Sequence, residues 1–166
     1  ERRLSSGGGW STVTTTGPNA TAYSDNTLTA NTSYDYRVFA VNTGGDSDPS
    51  NTASATTLPN PPAAPTLQPV TVVSQTQINL TWTASEDPES GVNRYIVYRD
   101  NTMIGSVTDT SFADSGLTQN TTYVYSISAV NGEEIEGDRS DDVSAKTFPS
   151  EDTIPPAPPT QLRVVQ

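Results

Sequence analysis

Between Gln77 and Thr83 the side chains alternate without interruption: Ile78, Leu80 and Trp82 fall on one side of an extended chain, Asn79 and Thr81 on the other. The same period of two returns at Tyr95 and Val97 and at Tyr125, Ile127 and Ala129. No segment carries apolar residues at helical spacing through three turns. The pattern therefore predicts an all-β protein, with strands near residues 67 to 72, 76 to 83, 93 to 99, 102 to 107, 110 to 113, 121 to 131 and 140 to 147. Gly, Pro, Asn, Asp and Ser separate them, as short strands between frequent turns require. The apolar members of each alternating run are the expected core, with two sheets meeting over Trp82.

The chain also repeats itself. Thr21-Ala-Tyr-Ser-Asp-Asn-Thr-Leu28 through Tyr34, Tyr36, Val38, Ala40 and Asn42 matches Thr110-Ser-Phe-Ala-Asp-Ser-Gly-Leu117 through Tyr123, Tyr125, Ile127, Ala129 and Asn131. The offset, roughly 90 residues, is the size of one sandwich domain. A second echo joins Pro61-Pro-Ala-Ala-Pro-Thr66 to Pro155-Pro-Ala-Pro-Pro-Thr160. Each is a proline-stiffened linker running into a first strand. The expected organisation is then a partial module over 1–58, a Pro-rich linker over 59–66, a complete module over 61–148, a second linker over 149–159, and the first strand of a further repeat over 160–166.

Specific residues carry a family resemblance. Trp82 sits on the second strand of the complete copy, Tyr95 and Val97 on the third, and Leu117, Tyr123 and Ala129 keep a Leu-x-x-x-x-x-Tyr-x-x-x-x-x-Ala spacing. This resembles the fibronectin type III family, which places a Trp on strand B, Tyr-x-Val on strand C, and that Leu-Tyr-Ala series at the E–F corner and strand F. Thr81-Trp-Thr-Ala-Ser and Gly91-Val-Asn-Arg-Tyr-Ile-Val-Tyr-Arg-Asp resemble its bacterial and archaeal extracellular branch in detail. The resemblance implies immunoglobulin-like, seven-stranded β-sandwiches, one complete and two partial. It also implies that Tyr123, and Tyr34 in the first copy, bond back to the backbone near Leu117 and Leu28 and pin the crossover between sheets. Glu1 to Arg3 align with the end of strand C, so strands A, B and most of C of the first copy are absent. The inner faces of Tyr36, Val38 and Ala40 should then be open, unless strands upstream in the parent protein or on a neighbouring chain cover them.

Composition narrows the chemistry. With 13 Pro, 11 Gly and only 32% apolar residues, the cores must be thin. There are no cysteines and no histidines, which removes disulfides, thiol nucleophiles, the commonest general base and the commonest metal ligand. The one lysine, Lys146, has no Ser-x-x-Lys partner. The chain is read as not an enzyme, with no catalytic, cofactor-binding or metal-ligating residue assigned and no cofactor expected. Nineteen acidic against eight basic residues, a formal charge of −11, disfavour nucleic acid and anionic lipid. No apolar run approaches the roughly 20 residues that span a bilayer, and no leader opens the sequence, so the piece is expected to be soluble and to carry no address of its own. Its Thr-rich, acidic, Lys-poor composition suits a secreted protein, and the expected location is extracellular or at a cell surface.

Four features are candidate sites. Glu86, Asp87 and Glu89 in the B–C loop and Glu133, Glu134, Glu136 and Asp138 in the F–G loop lie at one end of a sandwich, where oxygen ligands for calcium can gather. They lack the Asp-x-Asp-x-Asn-Gly ladder, and solvated acidic turns are the bland reading. Gly137-Asp138-Arg139-Ser140 has the wrong order for an integrin-binding Arg-Gly-Asp and is expected to be a solvated hairpin. Asn19, Asn31, Asn79 and Asn120 begin Asn-x-Ser/Thr sequons. Asn31 and Asn120 occupy equivalent turns, where Asn tolerates the geometry. Trp10 follows three glycines and could stack on a sugar ring or cap the sandwich. The expected function is a structural or adhesive spacer in a large extracellular repeat protein, with neighbouring repeats, copies of itself or polysaccharide as partners. The alternatives are an accessory region of a secreted polysaccharide-degrading enzyme and a filament subunit completed by strands of a neighbouring chain.

Overall fold

The computed structural model describes residues 1–151. Most of the second linker and the strand expected over 160–166 lie outside the described residues. Every regular element is a strand: β1 (Arg2–Leu4), β2 (Ser33–Tyr36), β3 (Val41–Asn42), β4 (Gly45–Asp46), β5 (Ala53–Thr56), β6 (Thr66–Leu67), β7 (Thr71–Val72), β8 (Gln77–Thr83), β9 (Val92–Arg99), β10 (Thr102–Val107), β11 (Ser111–Ser115), β12 (Thr122–Asn131) and β13 (Val143–Lys146). No helix among the described residues is long and apolar enough to cross a membrane. The chain forms two compact units: Glu1–Ala64 with Ser85–Arg94 and Ala129–Asp138, and Pro65–Ala84 with Tyr95–Ser128 and the chain from Arg139.

One four-stranded sheet runs β10-β9-β12-β13, and the other runs β11-β8-β6, with β7 also pairing β8. All neighbouring pairs whose register is resolved are antiparallel. The alternation in β8 does what its pattern dictates: Ile78 and Leu80 are fully buried and Trp82 nearly so. Tyr125, Ile127, Ala129 and Val97 are likewise buried. Trp82 meets Tyr95 edge-on, ring centroids 5.4 Å apart at 67°, the geometry in which a ring's positive edge faces a neighbour's negative face.

Two strands depart from the expected spans. The first splits into β6 and β7, because Pro69 has no amide to donate to the ladder. Leu67 faces Trp82 but Thr71 faces Asn79, so the register slips by one residue across the proline. The last strand starts at Val143, three residues later than expected. Over the gap Ser140 keeps its own ties: its amide donates to Ile127 O at 2.8 Å and its hydroxyl accepts from Ile127 N at 3.1 Å.

In the first copy, β1, β2 and β5 form a three-stranded antiparallel sheet, Arg2 facing Tyr36 and Tyr34 facing Ala55. Tyr34 and Asp35 are buried. Of the residues expected on the open face, Val38 and Ala40 are exposed, Val38 at 69% against 0% for its counterpart Ile127, while Tyr36 is half-buried with its hydroxyl on Asp25.

Candidate functional site

The strongest polar constellation is built twice. In the complete copy, Asp114 on β11 accepts from Arg99 Nη1 at 2.9 Å through both carboxylate oxygens and from the Tyr125 hydroxyl at 2.8 Å. In the first copy Asp25 accepts from Arg2 Nη1 at 2.7 Å and from the Tyr36 hydroxyl at 3.1 Å. The Arg guanidinium also lies over the corner tyrosine in both: Arg99 over Tyr123 at 5.4 Å and Arg2 over Tyr34 at 5.1 Å. Burial pushes the Tyr125 hydroxyl far above its ordinary range, and the bond to Asp114 adds to this. Burial works against the Asp25 charge, but the Thr27 amide and hydroxyl, Arg2 and Tyr36 outweigh it and hold the carboxyl at about 2.

The corner itself follows the expected bond. Tyr123 Oη accepts from Thr118 N at 2.9 Å and Tyr34 Oη from Thr29 N at 3.0 Å. A threonine at the end of the last strand completes the frame: Thr147 Oγ1 donates to Thr118 O at 2.7 Å and Thr57 Oγ1 to Thr29 O at 2.6 Å. Asn120 and Asn31, at φ 54° and 47°, take the left-handed turn conformation that Asn tolerates better than other residues with a Cβ. Their sequence position thus has a backbone cause. These groups fix strands.

The acidic loop residues are spent singly. Asp87 accepts from the amides of Glu89 and Ser90, each at 3.0 Å, and from the Ser90 hydroxyl. The Ser90 amide, with these other bonds, outweighs burial and holds its carboxyl below the usual range. Glu89 takes both the backbone amide and the side-chain amide of Asn60, at 2.7 and 2.8 Å. Glu134, at φ 63°, pairs with Arg94 at 2.6 Å and with Asn93. Glu86, Glu133, Glu136 and Asp138 are exposed. Among the described residues no three His, Cys, Asp or Glu side chains gather as a metal site.

Trp10 is already engaged. Arg37 and Arg3 lie over its ring at 4.2 and 4.6 Å, tied in turn to Glu1 and Asp35. Arginine thus stacks on the ring that the sequence offers to a sugar or to the sandwich end. In the Gly137 to Ser140 stretch, Arg139 lies over the Tyr98 ring at 3.4 Å and Ser140 is buried, so this hairpin is only partly solvated. Sequence reasoning missed these arginine partners: Arg37 and Arg139 reach their rings from far along the chain, and Arg3 meets Trp10 only because the chain turns back to pair Arg2 with Ser11.

The model of the family "Fibronectin type III domain" matches residues 63–146. The chain belongs to the fibronectin type III family. It is 38% identical over 120 residues to Exoglucanase B of Cellulomonas fimi, covering 68% of this chain and 11% of that protein. It is 32% identical over 117 residues to Chitinase C of Streptomyces lividans, covering 66% and 19%. Against poly(3-hydroxybutyrate) depolymerase of Ralstonia pickettii it is 40% identical over 85 residues, covering 51% and 17%. The fibronectin type III chain therefore spans under a fifth of each of these relatives. The solved FN1-FN3 domains of chicken CNTN1 match with a TM-score of 0.50 at 22% identity, covering 76% of this chain and 46% of that one. At that identity the likeness concerns the sandwich fold alone.

Proposed function

We propose that this fibronectin type III chain is a non-catalytic spacer region of a secreted polysaccharide-degrading enzyme. The supporting observation is the range of its relatives. Segments 32% to 40% identical to it belong to enzymes named for a glucan, for chitin and for poly(3-hydroxybutyrate). The three polymers differ chemically, one of them being a polyester, so the reading that suits all three is mechanical: holding other domains at a distance. The composition agrees, since the chain has no histidine or cysteine and its best-ordered carboxylates are occupied by Arg, Asn, Ser and Tyr donors. The internal repeat supports reading residues 1–58 as the later strands of a first module and 61–148 as a complete one. The relatives support this over an adhesive cell-surface array. A self-assembling filament has only the open face at Val38 behind it.

The test is deletion of this segment from its parent, with turnover measured on a soluble oligosaccharide and on the insoluble polymer. Loss on the insoluble polymer alone is expected, restored by an unrelated rigid spacer of equal length. Hydrolysis by the isolated chain, or its co-sedimentation with one polymer, would replace the spacer with catalysis or recognition.

A further inference from the structure

The linker expected over 59–66 is not a free tether. Pro59, Pro62 and Pro65 are buried, while Asn60, Pro61, Ala63 and Ala64 between them are exposed. Burial at every third residue is the signature of a polyproline II strip lying with one edge down, because that conformation has three residues per turn. Its backbone is held as well as its prolines. Asn60 presents its amide and its side-chain amide to the two oxygens of Glu89, and Asn60 O accepts from Asn131 Nδ2 at 3.3 Å. Three residues further on, Ala63 N donates to Glu86 O at 3.1 Å. Asn131 is itself fully buried, its Oδ1 occupied by the amides of Glu133 and Ile135, so the donor that reaches the linker is rigidly aimed. At Gly137 the fit is closest: a Cβ added there would run into the Pro62 carbonyl.

We infer that the loops around Glu86 to Glu89 and Asn131 to Gly137 are a docking surface for an extended proline-rich segment, occupied in cis by residues 59–65. Of the acidic residues that the composition offers as a cation site, Glu89 holds the strap through its carboxylate and Glu86 through its backbone carbonyl. An isolated polyproline II strip has no internal hydrogen bonds, so its amides stay open to solvent and its exposed bonds to proteases. Strapping removes both liabilities at the joint where the chain enters β6. The strap does not rest on the proposed function, since it holds whatever the parent protein does.

Amide hydrogen exchange on the full chain, followed residue by residue by NMR, tests it. The Asn60 and Ala63 amides should exchange at least about 100-fold more slowly than an unstructured peptide of the same sequence. Glu89→Ala should speed Asn60 about tenfold or more, and Gly137→Ala should speed both. If Gly137→Ala fails to fold, seen as loss of the buried environment of Trp82, then the unmodified chain and Glu89→Ala decide. Exchange of Asn60 and Ala63 at peptide rates in the unmodified chain would overturn the strap, as would an Asn60 rate that Glu89→Ala leaves unchanged.

Discussion

The Tyr125 hydroxyl donates to Asp114 from a fully buried ring, and the other copy of the repeat places Tyr36 on Asp25 in the same way. One carboxylate thus ties the E strand to an arginine at the end of strand C and a tyrosine on strand F.

Removing the two partners should cost different amounts. Tyr125→Phe leaves Asp114 its arginine, whose Nη1 is shared between both carboxylate oxygens, and deletes one charge-assisted bond, an expected loss of about 1.5–3 kcal/mol. Asp114→Ala strands both Arg99 and a buried hydroxyl, and about 3 kcal/mol or more is expected. Urea unfolding followed by tryptophan fluorescence ranks them. Equal costs would mean that the arginine pair adds nothing.

Acid should loosen the first copy. Asp25 is held at about 2, below the ordinary value near 4 for an unfolded chain. Its contribution is therefore fully present above about pH 4 and is lost as pH falls towards 2. Asp35, lowered chiefly by the Ser5 hydroxyl and then Ser54, acts in the same direction. Between pH 5 and 2, melting should fall more steeply for the natural chain than for Asp25→Asn. On the alkaline side Tyr125 is raised, so its share is present below about pH 10 and is lost as pH rises further. Absorbance titration should show a tyrosine that ionises only on unfolding.

Trp82 separates size from polarity. Its indole nitrogen is buried with no hydrogen-bond partner among the described residues. Trp82→Phe loses no bond but leaves empty the space of the indole's second ring, and should cost about 1–3 kcal/mol, whereas Trp82→Ala opens a larger cavity beside Tyr95 and should cost about 3–5 kcal/mol. A loss for the phenylalanine variant as large as that for alanine, measured by chemical denaturation, would reveal a partner for that nitrogen.

Asn120 tests the turn. At φ 54°, Asn120→Ala should cost about 1 kcal/mol and Asn120→Gly close to nothing. Thermal melts of the two variants decide, and an equal loss for both would point to the side chain and away from the backbone.

The strands and the core were legible because alternation is local: Ile78, Leu80 and Trp82 announce their face within five residues. The corner tyrosines were legible because the spacing from Leu117 to Tyr123 recurs from Leu28 to Tyr34. The slip at Pro69 was missed, since a missing donor shows where a ladder breaks but not how its register resumes. The partners of Asp114, Trp10 and Glu89 were also beyond reach. Arg99 meets Asp114 only because β9 and β11 are brought together by strands far apart in sequence. An acidic loop residue looks the same whether it will bind an ion or an asparagine amide.

The hydrogen bonds joining Thr29, Tyr34 and Thr57 repeat those joining Thr118, Tyr123 and Thr147 almost to the tenth of an ångström, yet Val38 beside the first set stands in solvent. Thr57 joins the first corner from 28 residues away, but the bond from Thr29 N to Tyr34 Oη closes across only five. Contacts of such short sequence separation form with little loop-closure entropy. The tyrosine bond is therefore expected to set early in folding, ahead of the strand pairing that must close longer loops.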